Sequence, residues 1–336
     1  MAPGTFPASS AALPRERMFV RRTSRPGEFF ARSFFVTCAG LVVVATALII
    51  AFLARAGLRG FADVGVESLL TGKIWKPEAD TFGGLPLLMG TLVTALLALV
   101  FGALPALLSA VWVNELAHES VRGISRRVME LAAAVPSVVY GWLALTYLVP
   151  PVTDLAHRIH GDGARVGGEG LLSAAFLLGV MIAPTVHLLS LDALSKVPAD
   201  LRAASTALGA SPLQTALRVV VPGAWRGVIV AVFFGFARAA GETMAVQMVI
   251  GGARKLPDNL FSPTTTISTQ IVMDMQNARP ETTSSDVLFS MALILLVMST
   301  GVVLVTRMLT RAGASKKTRR MRTPTGTANT AAGDAS

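Results

Sequence analysis

"VIVAVFFGFARAAGETMAVQMVIGG", residues Val228 to Gly252, is apolar at nearly every position yet carries Arg238 and Glu242 near its middle. A run of this length meets the roughly 20 residues that a helix needs to cross a bilayer core. An ion in hydrocarbon costs about 2.5 to 3.5 kcal/mol per residue even on the lenient insertion scale, so the two charges are expected to face a protein interior or an aqueous path. The rest of the chain has the same character. Hydrophobic residues make up 52% and charged residues 15% of its 336 positions, and its mean hydropathy is +0.59, more apolar than a soluble domain. The fold class this predicts is an all-α integral membrane protein.

Nearly uncharged runs predict six transmembrane helices: Ser33 to Ala54, Leu87 to Val113 within a longer run from Thr81, Val128 to Val149, Gly170 to Leu191, Val228 to Gly252 and Val287 to Thr306. The second is expected to tilt and kink near Pro105, which cannot donate a helical hydrogen bond. Loops rich in Lys and Arg tend to stay cytoplasmic. With the N-terminus inside, twenty of the thirty basic residues fall in cytoplasmic segments, nine in outer loops, and Arg238 within a span. Both termini are therefore expected to be cytoplasmic, and the net charge of +10 reads as contact with membrane lipids rather than nucleic acid, for which no module is visible. The first run is too long for the apolar core of a signal peptide and five more spans follow, so it reads as an uncleaved anchor.

The ends, "MAPGTFPASSAALP" and "TPTGTANTAAGDAS", hold few residues that could build a core and are expected to be disordered. This divides the chain into a basic tail over 1–32, a six-helix membrane domain over 33–307 containing a cytoplasmic loop over 192–226, and a second basic tail over 308–336. The one cysteine, Cys38, permits no internal disulfide and reads as packing. His157 and His160 have a spacing that could hold a metal but lack a third ligand, so no metal is assigned. No Gly-Lys-Ser/Thr phosphate loop, HExxH or GxSxG occurs, so the chain reads as neither an ATPase nor a hydrolase, and no cofactor is implied.

The loop "LDALSKVPADLRAASTALGASPLQTALRVVVPGAWRG" carries signals for a helix, a glycine bend and a second helix. Pro198 suits a first turn, Gly209 the position after the helix end, and Ser211 with Gln214 a capping box with Pro212 at the first helical position. Leu201, Ala204 and Leu208 put an apolar edge on the first piece, and Leu213, Leu217 and Val220 on the second. Such an element either packs on its own bundle or needs another surface to cover it.

Here the chain resembles a known family. The EAA loop of ABC importer permeases reads Glu-Ala-Ala, three residues, Gly, nine residues, Ile, one residue, Leu-Pro. On this chain Gly209 takes the Gly position, Val219 the Ile, Val221 the Leu and Pro222 the Pro, while Ala203, Ala204 and Ser205 take the opening triplet, without the glutamate. "RAAGETMAVQMVIG" resembles the Arg-Ala-x-Gly-Glu-Thr segment of phosphate importer permeases of the PstC type, as do "LLTGKIWKP", "FGGLPLLMGTLVTALLALV" and "VPSVVYG". The resemblance runs from about Ser33 to Arg307. It implies the MetI-like type I ABC importer permease fold, an EAA loop that couples to a cytoplasmic ATPase dimer, a PstA-like permease partner, and an external phosphate-binding protein. It places Arg238, Glu242 and Thr243 on the substrate path.

Read from the residues alone, Arg238 and Glu242 are four apart and would share one helix face, free to pair with each other or with a partner helix. The Arg fork also suits phosphate oxygens. A charge pair that only locks two helices is the competing reading. Gly235 and Gly241 could permit close helix approach, and Pro136 could shape a pathway or merely be tolerated. At the level of function, a permease for another oxyanion such as sulfate or molybdate, and a self-sufficient secondary transporter or channel, stand beside the phosphate reading. No internal repeat of the kind many secondary transporters carry is visible.

Overall fold

The computed structural model describes residues 26–161, 167–279 and 282–320. Of the tails expected to be disordered, 1–25 and 321–336 lie outside these residues, while 26–32 and 308–320 are helical. Among the described residues, six helices are long and apolar enough to cross a membrane: Phe30–Val64, Leu85–Glu115, Ser137–His160, Leu171–Ser195, Pro212–Gly241 and Thr283–Met308. They are the first to sixth spans below. The first lies in a helix that begins at Pro26 and the sixth in one that runs to Arg320, so the expected domain edges at 32/33 and 307/308 fall inside continuous helices.

The chain separates into two compact units, one ending at Ala51 and the other beginning at Phe52. In the first, the described side chains from residue 30 to 51 are exposed throughout, including Cys38. The second unit holds the core. Ala95, Leu178, Ile182, Ala240 and Val246 are buried together where the second, fourth and fifth spans meet. Gly102 and Gly179 bring the second and fourth spans together so closely that a Cβ on Gly102 would collide with the Gly179 backbone.

Three spans contain a five-residue π turn: Leu99–Ala103, Ala144–Leu148 and Ala216–Val220. Each is followed, two residues on, by a proline: Pro105, Pro150 and Pro222. A proline ring clashes with the carbonyl four residues earlier. Those carbonyls belong to Phe101, Thr146 and Arg218, each in the middle of its π turn, where the widened i→i+5 bonding relieves the clash. The expected distortion near Pro105 is thus present, and it recurs in two other spans. Pro184 in the fourth span sits in an α-helix without such a turn, and nothing in the structure explains the difference.

Two expected spans are corrected. The third does not run from Val128. Glu119–Ala134 is a separate helix, Val135 and Pro136 are extended, and the span starts at Ser137. The residue before a proline is pushed out of the helical region, and the Tyr140 hydroxyl takes up the freed Ala132 carbonyl at 2.9 Å. Val121, Ile124, Val128 and Leu131, which lent apparent continuity, form one exposed stripe of the separate helix. The fifth span ends at Gly241, well short of Gly252, and begins far earlier, at Pro212. After it come the short helix Met244–Gln247, a loop, and the helix Ile267–Met275.

The bundle has two dissimilar ends. At one, the strands Trp75–Lys76 and Thr81–Phe82 pair as an antiparallel hairpin beside the helix Ile267–Met275. Asp274 accepts from Trp75 Nε1 at 2.8 Å and from Arg254 at 2.7 Å. Arg254 also bonds Glu78 at 3.2 Å; the Glu78 carboxyl lies below its ordinary titration range, first through a backbone hydrogen bond at its own residue and then through Arg254. At the other end stand the helix Glu119–Ala134 and the helix Ala199–Ala207 with its Gly209 bend.

Candidate functional site

The fifth span delivers Arg238 to a cleft of about 410 Å³ between its own last turns and the sixth span, lined by Phe233, Phe234, Ala237, Arg238 and Glu242 on one side and by Val302, Val303, Thr306 and Arg307 on the other. The walls are mostly apolar, so a charge there is only partly screened by water. Arg238 donates Nη1 to the Thr185 hydroxyl of the fourth span at 3.3 Å. One hydrogen bond leaves most of its five donors available.

Glu242 does not share a helix face with Arg238. It is the residue that ends the fifth span, with φ −72° and ψ 134°, and its carbonyl accepts from the Ser268 hydroxyl at 3.0 Å. Among the described residues the two side chains form no ion pair; they line the same cleft from different backbone conformations. The helix lock expected from an i, i+4 pair is therefore absent in that form. Thr243 stands just before the next short helix without a capping side-chain bond and donates its hydroxyl to the Gly241 carbonyl at 3.4 Å, beside the cleft and outside its lining.

The loop residues gather at the Gly209 end. Helix Ala199–Ala207 closes with Gly209 at φ +81°, and Gly209 N–H bonds the Thr206 carbonyl while Ala210 N–H bonds that of Ser205. This pair of bonds is a Schellman cap, which favours glycine at that position. Ser211 and Gln214 form both halves of the expected capping box. The second piece is not a separate helix, however, because Pro212 opens the fifth span itself. Ala203 and Ala204 are exposed, Ser205 is buried and shares a hydrogen bond of 2.9 Å with Thr215, Val219 and Val221 are half-buried, and Pro222 is exposed. Most of the apolar edge faces outward: Leu201, Ala204, Leu208, Leu213 and Leu217 are exposed, Leu208 to 89%, whereas Val220, expected on the same edge, is fully buried against the bundle.

Sequence reasoning passed over several polar groups. His187, fully buried in the fourth span, bonds Ser109 of the second at 2.8 Å through Nδ1 and Ser125 of the helix Glu119–Ala134 at 3.1 Å through Nε2. Ser109 also lies in donating reach of the Ala106 carbonyl, an arrangement that suits the tautomer with the proton on Nδ1 and Nε2 accepting from Ser125. Arg202 binds Glu115, 87 residues away. Thr264, Thr265, Thr266, Thr269 and Gln270 are buried together near Thr91, whose hydroxyl accepts the Ile267 N–H. The charges at 115 and 202 flank apolar runs and were visible as such, but their pairing was not. Among the described residues no three His, Cys, Asp or Glu side chains gather as a metal site.

Comparisons with known proteins bear on this arrangement. Residues 102–313 match the family model described as the binding-protein-dependent transport system inner membrane component. The probable ABC transporter permease protein YqgH of Bacillus subtilis is 36% identical, over 88% of this chain and 94% of its own length. The phosphate transport system permease protein PstC of Pasteurella multocida is 32% identical over 72% of this chain and 79% of that one. The crystal structure of a bacterial alginate ABC transporter in complex with its alginate-pentasaccharide-bound periplasmic protein contains a chain that superposes with a TM-score of 0.57, at 17% identity, over 86% of this chain and 98% of its own.

Proposed function

Given that the chain belongs to the binding-protein-dependent transport system inner membrane component family, we propose that it is the PstC-type permease subunit of an ATP-driven phosphate importer. The chain is a six-span, multi-pass inner-membrane permease of the ABC importer class, and its relatives are transport subunits, not enzymes. That family depends on a binding protein, which sets aside the self-sufficient transporter or channel.

The observation that carries phosphate is Arg238, a guanidinium with one hydrogen-bond partner among the described residues, in an apolar-walled cleft. Its planar fork fits a tetrahedral oxyanion in two-point contact. Relatives named as phosphate permeases support the same substrate. The outward apolar ridge of Leu201, Leu208, Leu213 and Leu217 supports docking of a cytoplasmic ATPase dimer against the bend, with Ala203, Ala204, Ser205, Gly209, Val219 and Pro222 forming the coupling loop. In this reading a PstA-like subunit completes the path, a phosphate-binding protein delivers substrate at the hairpin end, and both chain termini are cytoplasmic.

The test is uptake of labelled phosphate by a host lacking its own PstC-type subunit and supplied with this chain. Uptake that unlabelled phosphate suppresses, and sulfate and molybdate do not, is expected. Suppression by sulfate or molybdate instead would assign a different oxyanion.

A further inference from the structure

The helix Ala199–Ala207 is tied to the bundle largely through one guanidinium. Arg202 donates Nη1 to the Val197 carbonyl at 2.6 Å and Nη2 to the Leu194 carbonyl at 3.0 Å. It also grips both oxygens of Glu115, through Nη2 at 3.0 Å and Nε at 3.3 Å. Glu115 is the last residue of the second span, and Leu194 lies in the last turn of the fourth. Helix C-termini present carbonyls without intrahelical donors and the negative end of the helix dipole. A single cation thus serves the carbonyls at the end of the fourth span and the carboxylate that ends the second. The Glu115 side chain is only 7% exposed, and Asn114 donates to the same carboxylate, fixing its position. A second buried polar attachment of this helix among the described residues is the hydroxyl bond between Ser205 and Thr215 at the start of the fifth span.

We propose that Arg202, acting through Glu115, is the positioning residue that transmits movement between the docked helix and the second and fourth spans, an inference that rests on the coupling role given to this loop above. A helix that presents Leu201 and Leu208 to a partner can swing about its ends at Pro198 and Gly209. The Arg202 fork converts such a swing into displacement of the span ends. A lysine cannot substitute fully, because one ammonium lacks the planar donors that reach two carbonyls and a carboxylate together. Where the family's triplet begins with a glutamate, this chain has Ala203; the charge beside it, Arg202, turns toward its own bundle.

The full complex of this chain, its partner permease, the ATPase and the binding protein is reconstituted in liposomes, and phosphate uptake is measured beside ATP hydrolysis. Arg202→Gln is expected to lower phosphate carried per ATP hydrolysed by at least about fivefold, the lower range of a typical coupling effect, with complex yield and hydrolysis much less affected. Arg202→Lys should recover part of the ratio. Glu115→Gln, which keeps the shape and one acceptor, should lower it too, and combining it with Arg202→Gln should add nothing further, since both break one link. A wild-type ratio in Arg202→Gln, or uptake and hydrolysis falling in proportion, would overturn the proposal; if Arg202→Gln fails to assemble, an unchanged ratio in Glu115→Gln does so. A wild-type complex that neither holds the ATPase nor imports phosphate overturns the functional reading, and this inference with it.

Discussion

Replacing Arg238 by Gln removes a full charge while keeping some hydrogen-bonding capacity toward Thr185. A hydrogen bond to a charged group contributes about 1.5 to 3 kcal/mol, so uptake is expected to fall about 10- to 100-fold with the complex still assembled. Because Glu242 makes no ion pair with Arg238, the double change Arg238→Gln with Glu242→Gln should not restore transport; recovery in phosphate-uptake assays would return the pair to a locking role. Gly209 offers a separate test. A Cβ there would meet nothing within 4 Å, so substitution strains only the backbone at φ +81°. Asn tolerates that region and Val does not. Gly209→Asn should co-purify with the ATPase normally, whereas Gly209→Val should insert in the membrane and lose the association. His187→Leu leaves Ser125 without its ring partner, and a cost of about 1 to 3 kcal/mol should lower the unfolding temperature in detergent. Arg238 and Gly209 were legible because a charge in an apolar run and a glycine between helical signals stand out locally. His187, Arg202 and Gln270 were not, since what they touch is set by packing between distant segments.

The capping box at Ser211 and Gln214 fixes where the fifth span begins. Ser211→Ala should cost about 1 kcal/mol locally, read as faster amide exchange at Leu213, Gln214 and Thr215 with the rest of the span unchanged. The residues predict that start, but they predict a helix separate from the fifth span at Val228, since Arg218, Pro222 and Arg226 interrupt the apolar run between them. The structure carries the helix through them with a π turn. The opposite error occurred at the third span, where Val128 and Leu131 supplied hydropathy without belonging to it. Hydropathy counts residues along the chain and does not see which face they occupy; Pro136, a local steric break, was the better guide to that boundary. The end at Gly241 was hidden for a related reason. Apolar residues continue to Gly252, but Glu242 is extended and Ser268, from a later helix, takes its carbonyl.

For the molecule as a whole, the number of crossings was legible because each span is paid for in uninterrupted apolar length, whereas their mutual packing was not. The purified chain in liposomes should neither hydrolyse ATP nor accumulate phosphate, having no nucleotide-binding motif; accumulation by the single subunit would refute the assembly proposed. The three π turns carry a consequence for the bundle as a unit. An i→i+5 turn holds one residue more than the α turn it replaces, so each is a built-in insertion that a one-codon deletion can erase. Removing Leu217 from the turn Ala216–Val220 would let it close as an α turn with one residue fewer, leaving Arg238 near its present phase toward Thr185 but setting Pro222 against the Arg218 carbonyl, so the span should be destabilised rather than re-aimed. The surplus residue ahead of Pro222 is therefore slack: it lets the span carry a proline while the angle between the Gly209 bend and Arg238 is kept.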